Sequence, residues 1–270
     1  MARKQRIDLL LVERGLIESR ERARRLIMAG EVTANGQIVD KPGMQVGLDV
    51  TLVLRVKPRF ASRGGDKLDA ALSAFSLEVA GKICADVGAS TGGFTDCLLK
   101  RGAAKVYAID VGYGQLDYRL RQDERVVVME QTNARYVETL PERVSVVTVD
   151  ASFISLRLLL PVVRNWLSVE SSVIPLIKPQ FEAGRADVGK GGVVKSPEVH
   201  RRVLHEVLAS AQATGYNVAG LVRSPLKGPA GNIEFLAWLQ TGSAMQTLKQ
   251  LNIDELVEAV LPDQNATVES

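Results

Sequence analysis

Between Ile83 and Phe94 the chain reads Ile-Cys-Ala-Asp-Val-Gly-Ala-Ser-Thr-Gly-Gly-Phe. A short apolar run ending in Asp86, followed at once by a loop holding Gly88, Gly92 and Gly93, is how a buried parallel strand hands over to a helix in a doubly wound domain. The glycines allow close approach of backbone to a ligand, and free N–H groups at the start of a helix over Phe94 to Arg101 supply donors there. A tight turn with no ligand fits the same residues. The spacing lacks the Gly-Lys-Ser/Thr ending of a phosphate-binding P-loop and the Gly-x-Gly-x-x-Gly order of a dinucleotide fingerprint.

The rest of the chain extends this pattern. Strands are expected near Ile83 to Val87, Lys105 to Asp110, Val126 to Met129, Val144 to Asp150 and Ser172 to Lys178, with helices between them. A helix over 198–214 and paired strands near 217–223 and 233–240 complete a seven-stranded α/β sheet. The loop from Pro179 to Ser196 has four glycines, which permit a hinge. Past Gly242, an amphipathic helix from Leu248 to Leu261 and then disorder are expected. With 270 residues and 46% apolar content there is material for one ordinary core and a smaller one. Apolar stretches such as Leu158 to Val163 fall short of the roughly 20 residues of a membrane span, and no signal peptide is visible. A soluble, cytoplasmic protein without stable membrane association is expected. Cys84 and Cys97 read as buried free thiols in a reducing compartment.

Ahead of the sheet lies a basic segment. Residues 1–60 hold 12 Lys/Arg against seven Asp/Glu, while residues 243–270 hold one Lys against five acids. Asp8 can cap a short helix through Leu9 to Val12, and Ser19 a second one with Ala23, Leu26 and Ile27 on its apolar face. Asn35-Gly36 marks a hairpin between Val32 to Ala34 and Gln37 to Val39, and a strand Val50 to Val56 closes the unit. Arg20, Arg22, Arg24 and Arg25 crowd the second helix, and Arg3, Lys4 and Arg6 precede the first. A solvated charged face fits these cations. Their order, with the hairpin Glu31-Val32-Thr33-Ala34-Asn35-Gly36, resembles the S4 RNA-binding domain, whose second helix and hairpin face structured RNA. Closely set guanidiniums suit phosphates and A-form shape.

The glycine loop resembles the first motif of S-adenosylmethionine-dependent methyltransferases. That resemblance implies a cofactor site of Asp86, Gly88, Ser90, Thr91, Gly92, Gly93 and Phe94, with Asp86 facing the methionine ammonium directly or through water. Asp110 ends the second strand, where such folds set a carboxylate against ribose hydroxyls. Asn133, after the third strand, falls near the adenine edge, and a helix N-cap role competes for it.

Lys67, Asp150, Lys178 and Glu234 stand at strand or helix ends, and each alone reads as an ordinary solvated or capping residue. Together they match the Lys-Asp-Lys-Glu tetrad of FtsJ-like ribose 2′-O-methyltransferases. Longer strings, among them Gly88-Ala89-Ser90-Thr91-Gly92-Gly93-Phe94, Asp110-Val111-Gly112-Tyr113-Gly114-Gln115-Leu116 and Ile177-Lys178-Pro179-Gln180-Phe181-Glu182, resemble the TlyA family of ribosomal RNA 2′-O-methyltransferases, also called hemolysin A proteins. The resemblance covers roughly residues 3–241. It implies a Rossmann-like seven-stranded methyltransferase sheet with a small α+β S4-like N-terminal domain. The expected divisions are 1–57 for the S4-like domain, 58–61 for a linker, 62–242 for the methyltransferase and 243–270 for a C-terminal helix and tail.

The implied reaction is 2′-O-methylation of ribose, usually of cytidine, in ribosomal RNA or ribosomal subunits, with S-adenosylmethionine as cofactor and no metal. A ribose hydroxyl needs a proton acceptor, and a lysine can act as one only if its pKa falls from about 10.4 toward neutrality. The resemblance gives Lys178 the role of base or of group steering the hydroxyl. Asp150 orients it, and Lys67 pairs with Glu234 across the site. Ala2-Arg3-Lys4 and the tail hint at the family members that act on both subunits. A hemolysin-like membrane protein and an RNA-binding regulator with an inactive methyltransferase domain are the competing readings. The sequence does not indicate an oligomeric state.

Overall fold

In the computed structural model the chain separates into two units, Met1–Pro58 and Arg59–Ser270, and residues 4–17, 19–54, 59–242 and 251–261 are described. Arg3, part of the expected linker and the start of the expected tail helix lie outside the described residues.

The first unit runs β1 (Lys4–Arg6), α1 (Ile7–Glu13), α2 (Arg20–Met28), β2 (Val32–Ala34), β3 (Gln37–Ile38), β4 (Gln45–Gly47) and β5 (Leu52–Leu54). β2 is the middle of a three-stranded antiparallel sheet. Asn35 and Gly36, at φ 49° and 80°, form the hairpin turn for which left-handed backbone is required. Ile7, Leu10 and Leu11 of α1 bury one helical stripe against Ala23 and Ile27 of α2. Ser19 caps α2 by accepting from the Arg22 amide at 3.3 Å, as expected.

Asp8 departs from expectation. It lies inside α1 rather than capping it, and its side chain is fully buried. Arg6 donates two hydrogen bonds to it, at 3.0 and 2.9 Å, and Arg20 a third at 3.0 Å. Charge-assisted bonds satisfy a carboxylate better than cap amides do, and they tie β1 and α1 to α2. The Arg6 bonds, followed by those of Arg20, pull the Asp8 pKa down to about 2 against the effect of burial. Two of the cations assigned to RNA therefore have a structural duty as well. The ribbon of β1 on β4 was not anticipated, because Lys-Gln-Arg shows no apolar alternation.

The second unit runs α3 (Gly64–Ala74), β6 (Ile83–Val87), α4 (Gly93–Lys100), β7 (Lys105–Ile109), α5 (Tyr118–Arg121), β8 (Val126–Met129), β9 (Val144–Val149), α6 (Leu156–Arg164), β10 (Leu167–Ile177), α7 (Pro179–Glu182), α8 (Pro197–Ala213), β11 (Asn217–Arg223), β12 (Phe235–Thr241) and α9 (Ile253–Val260). The seven-stranded sheet has the order β11-β12-β10-β9-β6-β7-β8, and β12 runs against its neighbours. Alternate residues of each strand feed two cores. Cys84, Val106 and Val146 face α3 and α4, while Ala85, Val147 and Val173 face α6 and α8. From β6 the chain winds outward to β7 and β8, then returns to lay β9 on the other side of β6. That reversal opens a crevice beyond the carboxyl ends of β6 and β9, where α/β sheets bind ligands.

β10 begins at Leu167, five residues before the expected start. Buried Leu167 pairs with Val144, and the register shifts before Ser172. The Ser168-Val169-Glu170-Ser171 run, three of its four residues polar, concealed that extension. α9 packs buried Val257 into the core and pairs Glu258 with Arg201 of α8.

Because the depressed Asp8 pKa favours the folded state only while the group is ionised, its contribution is present above about pH 4 and lost as pH falls toward 2. The Asp8→Asn variant should lose about 1–2 kcal/mol at pH 7, after allowance for solvent screening of the half-exposed arginines, and the deficit should shrink toward pH 2. Far-UV circular dichroism in urea reports it, since both tryptophans, Trp166 and Trp238, lie in the second unit.

Candidate active site

A pocket of about 290 Å³ occupies the crevice. Its walls come from the strand ends: Val87, Gly88 and Ser90 after β6, Ile109, Asp110 and Val111 after β7, Thr132 to Ala134 after β8, and Asp150 to Ile154 after β9. Gly88 has φ +82°, and a Cβ there would stand 2.6 Å from the Asp150 carbonyl oxygen. Ser90 is held at φ 48°, which turns its amide onto Asp110 Oδ2 at 2.8 Å. Asp110 Oδ1 accepts from the Gly112 amide at 2.7 Å. Each oxygen keeps a further lone pair, so the carboxylate is fixed toward the pocket and still able to accept hydroxyl protons. Asn133 caps a turn by accepting from the Arg135 amide at 3.0 Å and also lines the pocket.

The other residues of the glycine motif sit elsewhere. Asp86 is wholly buried and absent from the pocket wall. Thr95 Oγ1 donates to its Oδ2 at 2.7 Å and Thr148 Oγ1 to its Oδ1 at 3.0 Å. Burial pushes its pKa up to about 7, against the pull of those two hydroxyls. Its side chain shares the Cys84 face of β6 and points toward α4, so in this structure Asp86 meets Thr95 and Thr148 rather than the pocket lining. Gly92 packs against Leu116 and Leu120, and Gly93 lies under Ser62 Oγ and the Gly65 amide, so close packing accounts for both glycines. Phe94 is a core side chain, and Thr91 is exposed and accepts from the Asp117 amide through its carbonyl.

Lys67, Asp150, Lys178 and Glu234 form two ion pairs. Lys67 Nζ meets Glu234 Oε2 at 2.5 Å, with side-chain exposures of 10% and 1%. Lys178 Nζ stands 2.7 Å from Asp150 Oδ1, at an angle that leaves that oxygen without a directed hydrogen bond, and donates to Ser152 Oγ at 2.9 Å. Burial raises the Asp150 pKa, opposed first by Lys178 and then by the charge of Lys67. The two pairs are thus near enough to feel each other. Gly228 closes over the Glu234 carboxylate, leaving no room for a side chain.

Sequence reasoning passed over Phe153. It is 89% exposed, has φ +63°, lines the pocket and meets Phe181 at a tilt of 49° with ring centroids 4.9 Å apart. An exposed aromatic held in left-handed backbone stores strain of the kind found at functional sites. The short string Ser152-Phe153 carried no signal of it.

Such a sheet, with a strand-end carboxylate in its switch-point pocket, defines a Rossmann-like fold suited to a nucleotide-type cofactor. Comparison with known proteins narrows the class. Residues 60–241 match the FtsJ-like methyltransferase model and residues 5–52 the S4 domain model. The chain belongs to the FtsJ-like methyltransferase family, and its cofactor is S-adenosylmethionine. It is 50% identical over 266 residues to YqxC of Bacillus subtilis, covering 96% of this chain and 94% of that protein. It is 47% identical over 264 residues to the 16S/23S rRNA (cytidine-2'-O)-methyltransferase TlyA of Mycobacterium tuberculosis, covering 96% and 97%. A solved Streptococcus thermophilus chain that carries a hemolysin name is 45% identical, covers 96% of both chains and superposes with a TM-score of 0.71.

The raised pKa of Asp86 fixes a sign for pH dependence. The folded state holds this proton more tightly than the unfolded chain, so the contribution is complete below about pH 4 and is lost as pH rises through about 7. Relative to Asp86→Asn, the wild type should lose a few kcal/mol, in order of magnitude, between pH 4 and 7 and little beyond. Tryptophan fluorescence in urea checks this, and a pH-independent difference would contradict it.

Proposed function

We propose that the protein transfers a methyl group from S-adenosylmethionine to the ribose 2′-oxygen of a cytidine in ribosomal RNA, acting in the cytoplasm on ribosomal subunits or their precursors. The observation that carries this reading is the meeting of two lysine–carboxylate pairs, one buried and one partly buried, near a pocket that ends in Asp110 and Asp150. The relative named for cytidine-2'-O methylation, matched over nearly the whole chain, supports the substrate.

The pocket suits the cofactor. Asp110 is positioned to accept from ribose hydroxyls, Asn133 to meet a base edge, and Ile109, Val111, Ala134 and Ile154 offer apolar surface to a flat ring. S-adenosylmethionine, when bound, supplies an electrophilic methyl on a sulfonium. The chain's own groups must align the 2′-hydroxyl and take its proton as oxygen attacks carbon and the carbon–sulfur bond breaks. Lys178 is the group that meets the hydroxyl. Asp150 fixes it, and the 2′-hydroxyl proton goes to Lys178 as that lysine passes one of its own to the Asp150 carboxylate, which burial makes a better proton acceptor than a solvated one. Lys67 and Glu234 hold the substrate sugar and balance charge. Phe153 offers an open aromatic face of the sort on which a splayed-out base stacks.

Arg24 and Arg25 are exposed on α2 and have no ion-pair partner among the described residues, which suits phosphate contact. With Lys4, Arg6, Arg20 and Arg22 they make the S4 unit the RNA-gripping part, as proposed from sequence. Among the described residues no helix is long and apolar enough to cross a membrane, so the hemolytic reading gains no support there.

The test is methyl transfer from labelled S-adenosylmethionine to separated small and large ribosomal subunits lacking the modification, followed by digestion to nucleosides. Label should appear as 2′-O-methylcytidine, and Lys178→Ala should lower the rate by about 100-fold or more. Asp110→Ala should weaken cofactor binding about tenfold or more by calorimetry, the loss of a charge-assisted bond. A folded protein that binds the cofactor but labels neither subunits nor naked RNA would sink the assignment in favour of the RNA-binding regulator.

A further inference from the structure

Glu182 has no part in the reaction as described, yet its carboxylate is placed with unusual care. Its side chain is 3% exposed, and its nearest cation, Arg157 Nε, is 3.9 Å away. Ser155 Oγ donates to Oε2 at 2.6 Å and the Leu156 amide to Oε1 at 2.7 Å. Burying a carboxylate is costly, and two donors at the start of α6 with a long ion pair to a part-exposed arginine recover only part of that cost.

The geometry points to Glu182 as a positioning residue for the Lys178–Asp150 pair, one that acts by clamping the loop between Asp150 and Leu156 against the turn between Lys178 and Glu182. This rests on the methyltransferase reading above. β9 and β10 are adjacent parallel strands, and the two segments leave their carboxyl ends side by side. They are joined at one end by Lys178 to Asp150 and Ser152, in the middle by Phe153 on Phe181, and at the far end by Glu182. Phe153 lies between, in left-handed backbone that costs about 1–3 kcal/mol and with a ring that burial does not hold. A loop strained in its middle keeps its shape only if both ends are fixed. The Lys178 end is part of the chemistry itself, so the fixed anchor is the buried carboxylate. Releasing it allows residues 151–155 to relax, which shifts Ser152 and Asp150 and with them the lysine they hold.

The experiment compares wild type, Glu182→Ala and Glu182→Gln in the intact chain. Glutamine can accept from the Leu156 amide and donate to Ser155 Oγ, so it preserves the clamp without the charge. Glu182→Ala should lower kcat about tenfold or more at saturating cofactor and RNA, the scale expected of a misplacement near 1 Å. Glu182→Gln should recover kcat to within about threefold of wild type. Crystals of Glu182→Ala should show the 151–155 backbone moved and Lys178 parted from Asp150. A kcat within threefold in folded Glu182→Ala, a glutamine variant as impaired as alanine, or an unmoved loop would each overturn the proposal. If Glu182→Ala does not fold, Ser155→Ala removes the bond to Glu182 together with the cap contacts from the Arg157 amide and Nε and leaves the Leu156–Glu182 bond, and an unchanged kcat and loop there would overturn the proposal equally. A wild type without transfer activity would instead count against the proposed function, and the crystallographic comparison would still decide the clamp.

Discussion

Asp86 ties together the elements from which the pocket is made. Its carboxylate lies in the core without a cation and takes one hydroxyl from Thr95 on α4 and one from Thr148 on β9. Those bonds join β6, the helix after it and the strand across the switch point. With β6 and β9 held in register, the Gly88 backbone comes against the Asp150 carbonyl, and only a residue without Cβ fits. The Asp150 amide in turn donates to the Val87 carbonyl at 2.8 Å. One buried acid thus sets the spacing of two chain segments that line the pocket beyond it.

Much of the sheet was legible because parallel strands covered on both faces are continuous apolar runs, and Ile83 to Val87, Val126 to Met129 and Val144 to Val149 are such runs. Asp110 was readable as a pocket residue since a carboxylate closing the second strand has few other uses. The direction of Asp86 was not. In a strand buried on both faces no polar–apolar alternation marks which side is which, and Thr95 and Thr148 give no sign of being its partners. Gly92 and Gly93 presented the same difficulty: ligand approach and tight packing both demand glycine, and the deciding neighbours, Leu116, Leu120 and Ser62, lie far along the chain.

The four ionisable residues at strand and helix ends were recognised only through a family pattern. Any one of them reads as a solvated end residue, and pairing across 167 positions, as between Lys67 and Glu234, leaves no local trace. Asp8 shows the converse. A plausible cap by local rules, it was claimed by Arg6 and Arg20 once α1 and α2 packed together. Local rules name the residue types available, and tertiary contact chooses among their uses.

The two units use charge in different ways. A buried ion pair is near break-even for stability, so the lysine–carboxylate pairs are not explained by folding. In the proposed reaction their value lies in the net charge they leave behind. Two bare lysines would repel a sulfonium by about 4 kcal/mol each at 4 Å in a medium of effective dielectric 20, and a carboxylate held against each lysine removes most of that repulsion. The lysines remain present as donors while the site stays close to neutral. On α2 the opposite arrangement holds: Arg24 and Arg25 stand in water, where each contact is screened and weak and many must add. The RNA binding proposed for that helix should therefore weaken as salt rises, whereas the more enclosed lysine–carboxylate pairs are less screened, so proposed recognition and proposed chemistry differ in their salt dependence.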